Sequence, residues 1–232
     1  MLNFTIMRWI SIALLTALLS RAQPPVDQPA PRPPVVDSLP LPAPRPQAPD
    51  YDTTRWTDIA LADTAIMLDL KYATADNFVE TQLYDCPRCL LRPEVARALI
   101  AAHRELQAMG YRLKMFDCYR PLPIQWKLWE KMPDRRYVAD PRKGSMHNRG
   151  AAVDLTLVYL DGVEFDMGTP FDFFGKKAYH AYTNLPKAVL DRRKLLKATM
   201  EKHGFKATST EWWHYAYIRK NYPLSDYMWE CR

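Results

Sequence analysis

The 232-residue sequence has no Lys/Arg block, no internal repeat and no apolar run long enough to cross a bilayer. Its net charge of +6 is spread along the chain. A nucleic-acid binder would concentrate such charge in a basic stripe with interleaved aromatics, so that class is disfavoured. The N-terminal apolar stretch, Trp9 to Leu19, is eleven residues long, whereas a membrane helix needs roughly 20. No cysteine follows that stretch, which argues against a lipid anchor. Cysteine totals four, and glycine only 7. The single CxxC, Cys86-Pro87-Arg88-Cys89, lacks the second ligand pair of a zinc knuckle. No βαβ pattern surrounds it, so thioredoxin-like redox chemistry has no support.

What is present is ordinary globular composition, 48% apolar and 25% charged. The length suits one domain with a real core. Proline is the departure, at 20 residues, eleven of them between Pro24 and Pro49. Arg8, the apolar run and Ser20-Arg21-Ala22 have the layout of a secretory signal peptide over residues 1–22. No stable membrane insertion is expected once it is removed, and the mature protein is placed in the periplasm or outside the cell. Residues 23–50 read as a Pro-rich, extended polyproline II linker without a core. Residues 51–232 form the folded domain. In an oxidising compartment Cys86, Cys89, Cys118 and Cys231 are expected to form disulfides, and their spacing leaves all three complete pairings open.

Residues 65–72 (AIMLDLKY) alternate and predict a strand. Residues 93–109 predict a helix with Pro93 in its first turn, a stripe of Val95, Leu99, Ala102, Leu106 and Met109, and Gly110 as the stop. Residues 112–118 read as a strand, and 123–132 as a shorter helix carrying Trp126 and Trp129. Residues 151–160 read as a buried strand ended by Asp161-Gly162. Residues 186–203 predict a second long helix, capped by Thr183 or Asn184, with Val189, Leu190, Arg193, Leu196 and Met200 on one side. Residues 211–218 (EWWHYAYI) read as a last strand. Strands and helices mix without a βαβ rhythm, which predicts α+β: one domain with helices packed on a mainly antiparallel sheet, and its site in a cleft.

Two of five histidines have company suited to metal binding. His147 lies in a loop flanked by Gly144 and Gly150, and Asp154 follows at the start of a buried strand. A buried carboxylate needs a partner, and a metal ion is one. His214 closes Glu211-Trp212-Trp213-His214. Two imidazoles and one carboxylate leave a catalytic zinc with an open position for water, and Glu211 is spaced to act as its base. The ligands come from separated segments, unlike an HExxH helix. The plain alternative is a satisfied core histidine beside a hydrogen-bonded aspartate. Arg120, at the end of a strand and before Pro121, can reach a cleft and stabilise an oxyanion, with Asp117 holding the guanidinium. A surface ion pair is the plain alternative there.

Five segments together resemble the D-alanyl-D-alanine dipeptidases: Tyr72-Ala-Thr-Ala-Asp-Asn77-Phe78, Asp117-Cys-Tyr-Arg120-Pro121, Gly144-Ser145-Met-His147 through Asp154, Asp166-Met-Gly168 through Asp172, and Glu211-Trp-Trp-His214-Tyr215. The resemblance implies one zinc per chain on His147, Asp154 and His214, with Glu211 as general base and acid. It implies Arg120 at the tetrahedral intermediate, Ser145 at the substrate's carboxylate and Asp172 near its ammonium end. Asp117 is grouped with Ser145 and Asp172 as substrate-binding. The implied substrate is a small dipeptide, and a small closed cavity is the implied reason for its selection. The signal peptide and spacer depart from the cytoplasmic members of that family and point to turnover of wall-derived dipeptide. The CPRC segment, near the expected cleft rim, is a second departure. A carboxypeptidase or endopeptidase of the same zinc fold, cutting peptidoglycan stems, is the nearest alternative. A zinc-stabilised wall-binding module without turnover is the third.

Overall fold

The computed structural model describes residues 56–231; the expected signal peptide and Pro-rich linker lie outside the described residues. A two-residue strand, β1 (Thr57–Asp58), runs into a single helical turn, α1 (Ile59–Ala62), whose first turn is capped by the Asp58 carboxylate accepting from the Ala60 N–H at 3.0 Å. Next come β2 (Met67–Leu68), β3 (Leu90–Leu91), α2 (Pro93–Ala108), β4 (Tyr111–Asp117) and α3 (Leu122–Lys131). The chain continues through β5 (Ala152–Tyr159), α4 (Lys187–Lys202), β6 (Phe205–Ala207) and β7 (His214–Tyr217). The main sheet has the order β2-β4-β5-β7-β6, in which only β2 and β4 run parallel. β1 and β3 form a small antiparallel sheet of their own. The expected α+β architecture holds.

Helices α2 and α4 pack on each other and on one face of the sheet, against β4, β5 and β6. The period of 3.6 explains α2: Val95, Leu99, Ala102 and Leu106 fall on one side and are fully buried. Each such Leu contributes roughly 1.5–3 kcal/mol by leaving water. Gly110 ends the helix with φ +87°, a left-handed conformation that a side chain disfavours. In α4 the apolar stripe contains Arg193, which is buried. Its guanidinium survives there by donating to backbone carbonyls, to Met167 at 2.7 Å and Lys177 at 3.1 Å. Neither Thr183 nor Asn184 caps this helix: Pro186 precedes it, without a side-chain cap bond. In α3 the buried face is Ile124, Gln125 and Leu128, whereas Trp126 is exposed.

Two expected strands are shorter than their sequence patterns. The alternation in 65–72 gives only β2, because Lys71–Ala73 turn as a 3-10 helix. In 211–218 the strand begins at His214. Residues 211–213 form a turn closed by the Thr208 N–H donating to the His214 carbonyl, and Trp212 Nε1 donates to Thr169. The disulfides join Cys86 to Cys231 and Cys89 to Cys118. The CxxC therefore makes no bond within itself; each sulfur ties its segment to a distant one. A second apolar cluster, with Trp56, Tyr72, Tyr84, Tyr119 and Trp229, packs against Cys86, whereas Cys89 and Cys118 belong to the main core.

Candidate metal centre and active site

The register of the sheet assembles the site. Asp117 on β4 pairs with Asp154 on β5, and Asp154 pairs with His214 on β7. Directly paired residues share a sheet face, so three functional side chains stand in one row. Asp117 joins the row only because of an irregularity. Met115 pairs with Leu155, and two steps along β4 then match one step along β5. Without that bulge Asp117 would face the helices. The neighbours Val153, Leu155 and Tyr215 point the other way, into the core beneath α2 and α4.

His147 comes from the loop before β5, in the 3-10 turn His147–Arg149. Gly150 ends that turn at φ +65°, and a Cβ there would lie 2.3 Å from the Trp56 ring, so only glycine fits. Asn148 pins the loop: its side-chain oxygen accepts from the Ser145 N–H at 2.7 Å, and its amide donates to the Arg120 carbonyl at 2.8 Å.

The three expected ligands meet, with one donor atom of each within 4.8 Å of the others. His147 Nδ1 lies 2.6 Å from the Cys118 carbonyl oxygen. That oxygen can only accept, so Nδ1 carries the hydrogen, and in the neutral ring this leaves Nε2 with a lone pair directed into the site. Nε2 is 3.3 Å from Asp154 Oδ2 and 3.1 Å from His214 Nδ1, and His214 Nδ1 is 2.9 Å from Asp154 Oδ1. A lone pair facing a carboxylate calls for a cation between them. Zinc ligands at about 2.0–2.1 Å in a tetrahedron stand roughly 3.3 Å apart, close to these separations. The donor set therefore fits a divalent metal of the zinc type. Burial works against ionisation of Asp154, but positive charge on the neighbouring imidazoles holds its pKa well below the usual carboxylate range, and a metal cation in the same place would act in the same direction.

Glu211 is buried beside this row, with Oε2 4.0 Å from His214 Nδ1. Burial pushes its carboxyl up to about 8; His214 opposes the shift, and Asp154 and Asp172 add to it. Arg120 is held from three sides. Its Nε and Nη2 donate to Asp117 Oδ2 at 2.9 and 2.7 Å, and Nη1 donates to Gln125 Oε1 at 2.8 Å. Its guanidinium lies over the Tyr72 ring, 5.0 Å from the centroid, and its Nη2 is 3.8 Å from Asp154 Oδ2. Burial disfavours its charge, yet Asp117 raises its pKa well above the usual arginine value.

Asp117 is fully buried, is absent from the cavity wall and spends its other oxygen on the Tyr84 hydroxyl at 2.8 Å. Its Oδ2 holds the Arg120 guanidinium. Ser145, Asp172, Arg120, Glu211, His147, Asp154 and His214 all line one cavity of about 300 Å³, at the small end of ligand sites. Tyr72, Phe78, Tyr137, Phe174 and Trp213 complete much of its wall. Asp172 has φ +56°, unusual for a residue with a side chain. It accepts from the Tyr72 hydroxyl at 2.9 Å. Burial, with Asp154 adding, pushes the Asp172 carboxyl up to about 8, and the Tyr72 hydrogen bond opposes this. Tyr72, Tyr84, Gln125 and Asn148 were not among the expected site residues. Gln125 had a signal: it is the polar member of the buried side of α3.

Residues 52–229 match the peptidase M15 family described as D-ala-D-ala dipeptidase. The chain belongs to this family. It is 38% identical over 181 residues to the D-alanyl-D-alanine dipeptidase of Escherichia coli K12, covering 78% of this chain and 94% of that one. It is 34% identical over 181 residues to that of Enterococcus faecium, covering 68% and 88%. Among solved structures, VanYB in complex with D-alanine-D-alanine aligns over 56% of this chain and 72% of that one, at 17% identity and a TM-score of 0.40. Membership makes the chain a peptidase of metallo type.

Proposed function

We propose that this chain is a zinc-dependent dipeptidase that hydrolyses D-alanyl-D-alanine to D-alanine outside the cytoplasm. The reading is carried by His147, Asp154 and His214 converging, with Glu211 and Arg120 beside them, in one small cavity. The relatives' activity toward this dipeptide supports the substrate. The three ligands would hold one zinc, which supplies an acidified water and polarises the scissile carbonyl.

The chain's own residues do the rest. Glu211 takes a proton from the attacking water and hands it to the leaving amine; its raised pKa suits both halves of that task near neutral pH. Arg120, fixed by Asp117 and Gln125, presents a preorganised charge toward the oxyanion that develops on the carbonyl oxygen. Asp172 receives the substrate's ammonium group, and Ser145 its carboxylate. Burying either charged end alone is costly, so a cavity with one group for each end selects a zwitterion of dipeptide length. Export is supported by the signal-like residues 1–22 and by two disulfides between distant cysteines. The Pro-rich residues 23–50 act as a spacer.

The test is a parallel assay of D-Ala-D-Ala, L-Ala-L-Ala and a longer D-Ala-terminated peptide, with and without chelator. D-Ala-D-Ala alone should be cleaved, and activity should vanish with chelator and return with zinc. Comparable cleavage of the longer peptide would replace the dipeptidase by a carboxypeptidase.

A further inference from the structure

We infer that the Cys89–Cys118 disulfide is a positioning element of the metal site, acting through the carbonyl oxygen of Cys118 on His147; the inference rests on the metal-site reading above. Of the three ligands, Asp154 and His214 are fixed by strand register. His147 is not: it sits on a loop. On the side away from the other ligands, its Nδ1–H donates to the Cys118 carbonyl at 2.6 Å, while Asp117 Oδ2 stands farther off, 3.6 Å from the same nitrogen. Such outer partners of a ligand histidine govern metal affinity.

Cys118 lies one residue past the end of β4, so the sheet does not hold its carbonyl in place. The residues around it depend on its position. Asp117 grips Arg120, the Tyr119 N–H donates to the Leu90 carbonyl at 3.0 Å, and the Arg120 N–H donates to the His147 carbonyl at 3.2 Å. The covalent anchor of this stretch is the bond to Cys89, which directly precedes β3 and whose carbonyl accepts from the Ile59 N–H at 2.9 Å. Both half-cystines are buried. The bridge thus ties the small β1–β3 sheet to the residue that aims a metal ligand. The second bridge, Cys86–Cys231, secures the C-terminal tail instead, and neither of its cysteines lines the cavity. It serves as an internal control of similar chemistry.

The experiment compares the full mature chain, a Cys89→Ala/Cys118→Ala variant and a Cys86→Ala/Cys231→Ala variant. Zinc affinity is measured by competition with a chromophoric chelator, and the His147 tautomer in the metal-free protein by imidazole nitrogen NMR. The first variant should bind zinc about 10–100-fold more weakly, the range for losing an outer partner, and its His147 should show mixed tautomers. Its kcat at saturating zinc should change less than its zinc affinity. The control pair should keep parental zinc affinity, whatever it loses in thermal stability. Should the alanine pair fail to fold, Cys89→Ala/Cys118→Val, which refills the lost sulfur volume, carries the same comparison. Zinc affinity within twofold of the parent, with a single His147 tautomer, overturns the inference. A parent that binds no zinc would overturn the metal-site reading instead.

Discussion

Arg120 offers a test in which the structural and catalytic effects of one side chain separate. Arg120→Ala removes three short hydrogen bonds and leaves the buried Asp117 carboxylate with the Tyr84 hydroxyl as its hydrogen-bond donor and His147 Nδ1 at 3.6 Å. Breaking a buried pair from one side costs about 3–5 kcal/mol of stability. Losing a preorganised charge at a developing oxyanion costs about 2.7–4 kcal/mol of barrier, or roughly 10²–10³-fold in kcat. The two costs have different remedies. Adding Asp117→Asn to Arg120→Ala removes the unpaired buried charge while an amide still accepts from Tyr84. The urea midpoint should then recover by about half or more of the stability lost. Turnover should not recover, because nothing replaces the guanidinium over the cavity. The assay is urea unfolding beside steady-state hydrolysis of D-Ala-D-Ala at saturating zinc. If kcat returns to within threefold of the parent as stability returns, Arg120 holds the fold and does not act on the reaction.

Glu211→Gln should retain zinc, read by metal analysis after gel filtration, and lose about 10²–10⁴-fold in kcat, the usual worth of a positioned acid–base group; undiminished turnover would remove Glu211 from the mechanism. Tyr72→Phe deletes the hydrogen bond to Asp172, and should raise KM several-fold, about 1 kcal/mol, at nearly constant kcat, as measured by initial rates over a range of dipeptide concentrations. Asp172 and Glu211, both raised to about 8 from ordinary values of 3.8 and 4.5, bind protons in the folded state that the unfolded chain releases. The metal-free protein is therefore most favoured below those ordinary values and loses stability as pH rises toward 8. Urea midpoints of the metal-free protein between pH 4 and 8 should fall with pH, and Asp172→Asn should flatten the slope; a midpoint that rises across this window would contradict the burial of both carboxyls.

The long elements were legible because their periodicity and their packing agree. In α2 and β5 the apolar pattern alone gives the buried face, and the structure moves their ends by only one residue. The expected metal ligands were legible because a carboxylate inside an apolar strand has few reasons to be there. The short elements were not. Residues 65–72 alternate as a strand should, but only Met67 and Leu68 find a partner, on β4. β3 and β6, with two and three residues, have too little sequence to show a period and exist because β1 and β7 pair with them. The setting of Asp117 is hidden in the sequence for a related reason. Sequence places it three residues before Arg120 but does not reveal the bulge that turns it away from the core and beneath the guanidinium.

That bulge and the row it completes explain why the residues of this site are so far apart in sequence. A β-ladder fixes neighbours across strands to within a fraction of an ångström without asking that they be near along the chain. Asp117, Asp154 and His214 take their mutual positions from hydrogen bonds of the backbone, which the chemistry does not disturb. What the sheet cannot supply, because its side chains stand perpendicular to it, is a group arriving from above the row. His147, Glu211 and Asp172 come from a loop, a turn and a left-handed residue respectively. Each is held by a specific bond or by burial: His147 by the Cys118 carbonyl, Asp172 by the Tyr72 hydroxyl, and Glu211 by its enclosure beside His214. The sheet therefore sets where the metal would lie, and the irregular segments set what happens around it. Substitutions that act on the reaction without dismantling the fold belong in those segments and in the side chains that pin them.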